Sequence, residues 1–276
     1  MSFFSSQWNT VKPKPGVMID PLHPLSKGLV GFWLFNEGSG SKCYDISGCG
    51  NHGTLKNMST NSEDSGWCSS NFGGGLCFDG TDDYVDLGDT NDFDNPNTTV
   101  SAWVKSTSSA ADMRIVVSGS EYTNQWHLIM HQGHIVMTRS TESFDYFDTV
   151  DTFNDGVWHH IVGIRSPIKE NIKVYVDSVE QTDGGVATAY SLDGNPKIGA
   201  KNSTSYFFDG SIDFICIYNR ALSAEEVKML YHDPFCNLLR IPIRYVPAVP
   251  EAGQPMMKRW GGIPFMKGQR FGAKVW

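Results

Sequence analysis

The stretch Gly210–Tyr231, GSIDFICIYNRALSAEEVKMLY, sets a strand, a turn and a capped helix end to end. SIDFICIYN is a short apolar run bounded by turn signals and reads as a strand. LSAEEVKMLYHD reads as a helix. Ser223 is the expected N-cap, Glu226 completes a capping box three residues later, and Glu225 adds favourable charge to the first turn. Val227, Leu230 and Tyr231 form the apolar face, and Pro234 ends the helix. Asp213 stands among Ile212, Phe214 and Ile215. A carboxylate partly buried there needs a cation, a base such as Arg220, or several backbone donors.

Upstream, GLVGFWLFNEGSG supplies a strand that is apolar on both faces, with Leu29, Gly31, Trp33 and Phe35 against Val30, Phe32 and Leu34. Such a strand is covered on both sides or buried by the preceding segment. Further short strands recur between turn residues: GLCFDG, YVDLG, TTVSAWVKS, RIVVSG, QWHLIMHQ, HIVMTRS, WHHIVGIRS, IKVYVDS and PKIGA. This pattern is that of an all-β sandwich or barrel. Strands do not alternate with long helices, and no phosphate-binding glycine fingerprint occurs. Residues 57–75 are polar apart from Trp67 and Phe72 and read as an exposed excursion. The acidic run FDGTDDYVDLG, Phe78–Gly88, reads as a strand end, the turn DGTDD and a new strand. Gly80 gives the turn its freedom and Asp79 bonds nearby N–H groups. It lacks the glycine and the terminal glutamate of an EF-hand loop.

Charge divides the chain. Residues 1–236 carry 29 Asp and Glu against 15 Lys and Arg, a net of −14, whereas residues 237–276 carry one acid and seven bases, a net of +6. Residues 1–26, with Pro13, Pro15, Pro21 and Pro24, read as an extended arm, 27–233 as the β domain, and 234–276 as a basic Pro/Gly-rich docking tail. Arg244, Lys258, Arg259, Trp260, Lys267, Arg270 and Trp276 are the tail residues expected to meet something acidic, such as the body of a neighbouring copy. Nucleic acid is not the expected partner, because no recognised binding motif accompanies the spread-out bases. No signal peptide or transmembrane run is read at the sequence level. This argues against classical secretion and leaves display on an assembled particle open. Of the six cysteines, Cys43 with Cys49 and Cys68 with Cys77 have spacings that loops could bridge, but free thiols are the expectation at this size.

Several strings, in this order, resemble the laminin G-like, or concanavalin A-like, jelly-roll family. They are GLVGFWLFNEGSGSKCYDISGCGNHGTL, GGGLCFDGTDDYVDLG, TTVSAWVKS, DGVWHHIVGIR, KVYVDS, KIGA and FFDGSIDFICIYNRALSAEEVKMLY. The resemblance spans about residues 27–232. The family's YVDG turn stands here as YVDS, with Ser178 for glycine. The resemblance implies an all-β jelly-roll sandwich of two packed antiparallel sheets with one short C-terminal helix. It also implies a module that binds sugars or proteins and is not an enzyme, often beside a structural calcium ion. The helix followed by DPFC resembles versions carried by tailed bacteriophages and environmental viruses. That implies a virion or other surface assembly, with the arms clasping neighbouring subunits.

The chemistry-bearing residues agree with binding. No pair of acids at alternate strand positions suggests glycoside hydrolysis, although a carbohydrate-active enzyme or its binding module is the alternative reading. No serine sits on a nucleophile elbow beside His159 or His160, which point to opposite faces of their strand. A Ca2+ ion would draw on Glu37, Asp45, Asn51 and Asp213, bridging the early loop and the late strand. Sugar recognition would use exposed aromatics: Trp67, Tyr122, Tyr146 and Tyr206, with Trp126 read as core.

Overall fold

In a computed structural model the chain divides into two units, Met1–Leu239 and Arg240–Trp276. The structure describes residues 11–59, 64–119, 125–139, 145–167, 172–184, 195–202 and 204–239, together with the backbone of 259–260 and 263–264. Tyr122 and the tail residues Arg244, Lys258, Lys267, Arg270 and Trp276 lie outside them.

The first half of the sandwich runs through β1 (Leu29–Trp33), β2 (Lys42–Cys43), β3 (Gly53–Lys56), β4 (Gly66–Ser70), β5 (Gly73–Asp79), β6 (Tyr84–Asp86), β7 (Thr98–Lys105) and β8 (Met113–Val117). It continues with β9 (His127–His131), β10 (His134–Arg139), β11 (Asp145–Asp148), β12 (His159–Arg165), β13 (Lys173–Val176), β14 (Val179–Glu180), β15 (Lys197–Ile198) and β16 (Asp209–Tyr218). The helix α1 (Ala224–His232) follows. One antiparallel sheet has the order β14-β13-β12-β7-β16-β5-β4, with β1 also on β16; the other has the order β11-β10-β9-β8-β15-β6-β3-β2. This is the expected two-sheet jelly-roll sandwich with one short helix.

Alternation along β16 shows how the layers are built. Ile212, Ile215 and Ile217 enter the core between the sheets, and Phe214, Cys216 and Tyr218 face a second apolar layer. The pairing of β16 with β7 shifts register between Ile212 and Ile215, which lets residues three apart share a face. The second layer is closed by α1, whose Val227 and Leu230 are buried. Ser223 accepts from the Glu226 N–H and Glu226 reaches back to the cap, so the capping box forms as the sequence suggests. Tyr231 of the helix stacks on Trp103, rings 5.8 Å apart.

The segment before β1 supplies more of that layer. Val17 and Ile19 pack into it, Ile19 bridges Leu238, Asp20 N donates to the Asn237 carbonyl at 2.7 Å, and Leu239 N donates to Met18 at 2.8 Å. Both faces of β1 are therefore covered, and all five of its residues are buried.

The expectation of free thiols is corrected at one pair. Cys68 and Cys77, on adjacent antiparallel strands β4 and β5, form a disulfide with Cα atoms 5.9 Å apart. Spacing could not decide this, because the register of the two strands sets the distance. Cys43, Cys49, Cys216 and Cys236 are free thiols. Among the described residues no helix is long and apolar enough to cross a membrane. In the second unit, β17 (Arg259–Trp260) and β18 (Ile263–Pro264) form a hairpin.

Candidate functional site

The acidic turn between β5 and β6 closes on itself. Asp79 Oδ1 accepts from Thr81 N at 2.8 Å and from Asp82 N at 3.4 Å, and Asp83 Oδ2 accepts from Asp79 N at 3.1 Å. Gly80 has φ 73°, and a Cβ there would meet Asp209 Cβ at 2.8 Å, so the turn requires glycine. Carboxylate oxygens of Asp79, Asp82 and Asp83 lie within 4.8 Å of one another, a donor set of the kind that holds a divalent cation. Asp79 and Asp82 are exposed, whereas Asp83 is fully buried and its Oδ1 has no hydrogen-bond partner. Burial pushes the Asp83 carboxyl up, against the Ser65 hydroxyl and the Asp79 N–H, which hold it down. Thus the run read as a solvated turn also gathers three carboxylates. The three acids are neighbours in the chain, but the burial of Asp83 comes only with the packing around the turn.

Beside this turn a cavity of about 310 Å3 is lined by Gly40, Ser41, Leu55, Asn57, Met58 and Trp67, with Ser59 and Gly66 completing it. Trp67 is half-buried against the core, and its indole N–H donates to the Gly40 carbonyl at 2.8 Å, which fixes the ring. A second cavity, of about 340 Å3, runs along Asp64, Asp79 and Asp209 past Cys77.

The expected calcium set is not brought together around an open position. Asp213 is fully buried, but its cation is the ammonium of Lys12, and its Oδ2 accepts the Phe72 N–H at 2.8 Å. Lys12 Nζ also donates to the Asp213 carbonyl at 2.7 Å and to Gly74 O. This corrects the assignment of Asp213 to a metal: a lysine from the N-terminal segment takes that role. Asp45 is likewise filled by donors, with Phe32 N at 2.9 Å and Ser47 N at 2.8 Å on Oδ1, and Ser47 Oγ at 2.8 Å and Asn51 N at 3.0 Å on Oδ2. Asn51 spends its amide on Val30 O and Asp92 Oδ2, both at 2.9 Å. Glu37 Oε1 accepts from Tyr44 N at 2.7 Å. Asp45, Asn51 and Glu37 therefore tie the early loop to β1 and to itself.

The aromatic candidates separate. Trp67 lies on β4 at the end of one sheet, while Tyr146, on β11 at the end of the other, packs on Ile129 and Val136. Tyr206 is 41% exposed, with the Arg114 guanidinium and the Lys201 ammonium each 5.0 Å from its ring. Trp126 is core, as expected.

The histidines of β12 do take opposite environments. His159 Nδ1 meets Asp177 Oδ2 at 2.8 Å and its Nε2 meets Asp155 at 3.1 Å; these partners, Asp177 foremost, hold its pKa up. His160 is fully buried, bonds Ser101 Oγ at 2.8 Å and stacks on Trp103, and burial lowers its pKa to about 3. The buried Ser101–His160 pair has no access for a substrate.

Comparisons place this geometry. Domain 4 of an extracellular arabinanase from Geobacillus stearothermophilus, in complex with arabinotriose, is similar over 74% of this chain and 98% of that one, with 20% identity and a TM-score of 0.56. The binding domain of Paraclostridial mosquitocidal protein 1 is similar over 77% of this chain, with 15% identity and a TM-score of 0.56. A Trypanosoma rangeli sialidase in complex with sialic acid is similar over 76%, with 18% identity and a TM-score of 0.53. The chain spans about half of the mosquitocidal binding chain, 53%, and a third of the sialidase chain, 33%. No curated protein matches.

The sialidase likeness and the converging Asp79, Asp82 and Asp83 overturn the expectation that the chain is no enzyme. The fold occurs in sialidase chains, and acids of the type used in acid–base chemistry are gathered on it here. At these identities the solved structures show a shared fold. The family model for the concanavalin A-like lectin/glucanases superfamily matches residues 79–228, more than half of the chain, and the chain belongs to that superfamily.

Proposed function

We propose that the chain is a glycan-recognition module of a surface assembly, with the Trp67 cavity as its sugar subsite and Ca2+ as the ion of the Asp79–Asp82–Asp83 cluster. One observation carries the reading: an aromatic plate, Trp67, held by its own N–H bond, forms a wall of a cavity ringed by Ser41, Asn57 and Ser59. Sugars present a C–H face that packs on such a ring and hydroxyls that pair with amides and hydroxyls at its edge. A volume of about 310 Å3 suits one or two sugar residues. The arabinotriose complex of the arabinanase domain supports a sugar ligand, and the mosquitocidal binding domain supports a receptor at a surface.

The assembly half of the reading is supported by the acidic body and basic tail, which favour contacts between copies through Arg259, Trp260 and the other tail residues. A virion surface is the location this fits. Binding of the full chain to a glycan array tests the sugar reading. Competable binding is expected, and Trp67→Ala abolishes it; an array with no hits refutes the reading. Self-association by sizing, lost when residues 240–276, the second unit, are removed, tests the assembly.

A second reading, glycoside hydrolysis, is favoured by Asp83, a buried carboxyl pushed up beside exposed Asp79 and Asp82. Release of reducing sugar from bound glycans, lost in Asp83→Asn, is its test.

A further inference from the structure

The Cys68–Cys77 bridge sits on the strand that carries the Trp67 plate. In the β4–β5 ladder Cys68 lies opposite Gly75, Trp67 opposite Leu76 and Gly66 opposite Cys77, so the bridge crosses the pair diagonally. Among the described residues β4 ends its sheet and pairs with β5 alone. The ladder, the bridge, core packing and the Trp67 bond to Gly40 together hold the plate.

The two sulfurs differ in access and in partners. Cys68 is half-buried, whereas Cys77 is only 8% exposed. The Ser211 hydroxyl lies 3.3 Å from Cys77 Sγ and is the donor, because a disulfide sulfur carries no hydrogen. Cys77 also borders the cavity of about 340 Å3 lined by Asp64, Asp79 and Asp209, all at exposed positions. A thiolate attacks the sulfur it can reach and expels the other, and bridges near solvent are the labile ones. Access thus favours attack on Cys68, and the hydroxyl supports the thiolate that leaves on Cys77. The three carboxylates oppose the negative charge of the transition state, so a thiol carrying an ammonium group is the one they favour.

We infer that Cys68–Cys77 is an exchange site for small cationic thiols, captured on Cys68, and that opening the bridge loosens the Trp67 cavity. An incoming thiolate bonds to Cys68 Sγ, the Sγ–Sγ bond breaks, and its electron pair leaves on Cys77, which water then protonates. A second thiolate takes the captured sulfur and frees Cys68, protonated in turn. Two thiols are oxidised to one small disulfide, and one protein bridge is reduced to two thiols. The strand under Trp67 then keeps its ladder and loses its covalent tie. The exchange half rests on the surroundings of the two sulfurs; its effect on a glycan rests on the reading of the Trp67 cavity as a sugar subsite.

The test uses the full chain with Cys49→Ser, which removes the exposed free thiol. Millimolar cysteamine is added under native conditions, free thiols are trapped with N-ethylmaleimide, and peptides are mapped by mass spectrometry. The cysteamine adduct is expected on Cys68, with Cys77 alkylated. An adduct that forms first on Cys77, or a bridge that opens only in denaturant, overturns the inference. At equal thiolate concentration and low salt, cysteamine is expected to react about fivefold faster than a sulfonate-bearing thiol of similar size. Each rate is scaled to the same thiol's rate on a neutral disulfide, and equal scaled rates overturn the preference for cationic thiols. Ser211→Ala is expected to slow the opening about tenfold, and an unchanged rate overturns the part given to the hydroxyl. In chain labelled with fluorotryptophan and assigned through Trp67→Phe, reduction is expected to shift the Trp67 fluorine resonance. Glycans that bind on the array are expected to bind the reduced chain about tenfold more weakly. A Trp67 resonance unmoved by reduction, or glycan binding unchanged by it, overturns control of the cavity. A shifted resonance with no glycan bound upholds that control and counts against the sugar reading alone.

Discussion

Lys12 enters the sandwich from a segment without periodic pattern and places its ammonium on the fully buried Asp213. Burial lowers its pKa, opposed by Asp213 and by Glu37, so the charge is retained only through its partner. Removing one member leaves the other charge uncompensated. Lys12→Ala is expected to cost about 3–5 kcal/mol in urea unfolding, whereas Lys12→Met combined with Asp213→Asn recovers part of the loss. The histidines give a pH signature. His159 is held above its ordinary pKa by Asp177 and Asp155, so its contribution is full below about pH 6.5 and fades as pH rises through the raised value. His160 and His127 are held below it by burial, so the unfolded chain binds more protons than the folded one below about pH 6.5. Their stability is lost as pH falls, by up to about 1.4 kcal/mol per pH unit for each. Stability measured against pH should peak near pH 6.5, and Asp177→Asn should flatten the alkaline side.

Elements whose information is local were legible in the sequence. The helix α1 formed because its cap, first-turn acids and stop lie within twelve residues, Ser223 to Pro234, and β16 because its apolar run is framed by Gly210 and Asn219. The need of Asp213 for a partner was also legible. The partner was not, since Lys12 lies 201 residues away along the chain and no periodicity marks it. Asp83 failed for a related reason: the run that holds it is polar, and only the packing of neighbouring strands buries one acid of the three. The β4–β5 pair depends on register in the same way. Closing a loop of nine residues with the Cys68–Cys77 bridge is expected to stabilise by about 2–3 kcal/mol. Cys68→Ser, or reduction of the full chain, should lower the midpoint of urea unfolding accordingly.

At the scale of the molecule, the sandwich has one core between its sheets and a second apolar layer outside one of them. That second layer is closed by pieces from both ends of the Met1–Leu239 unit: Val17 and Ile19 from one, Phe235 and Leu238 from the other. The Ile19–Leu238 bridge is antiparallel, with Met18 beside Leu239 and Asp20 beside Asn237. The chain therefore enters and leaves this unit side by side. A load applied between the two ends meets those bonds one after another, as a zipper is opened, and does not shear a row of them at once. In single-molecule pulling from the termini, the segment before β1 and the residues after α1 should peel away first, at low force, in a step separate from rupture of the two sheets. A tether under tension would then lengthen at this seam while the Trp67 cavity and the aspartate turn kept their shape.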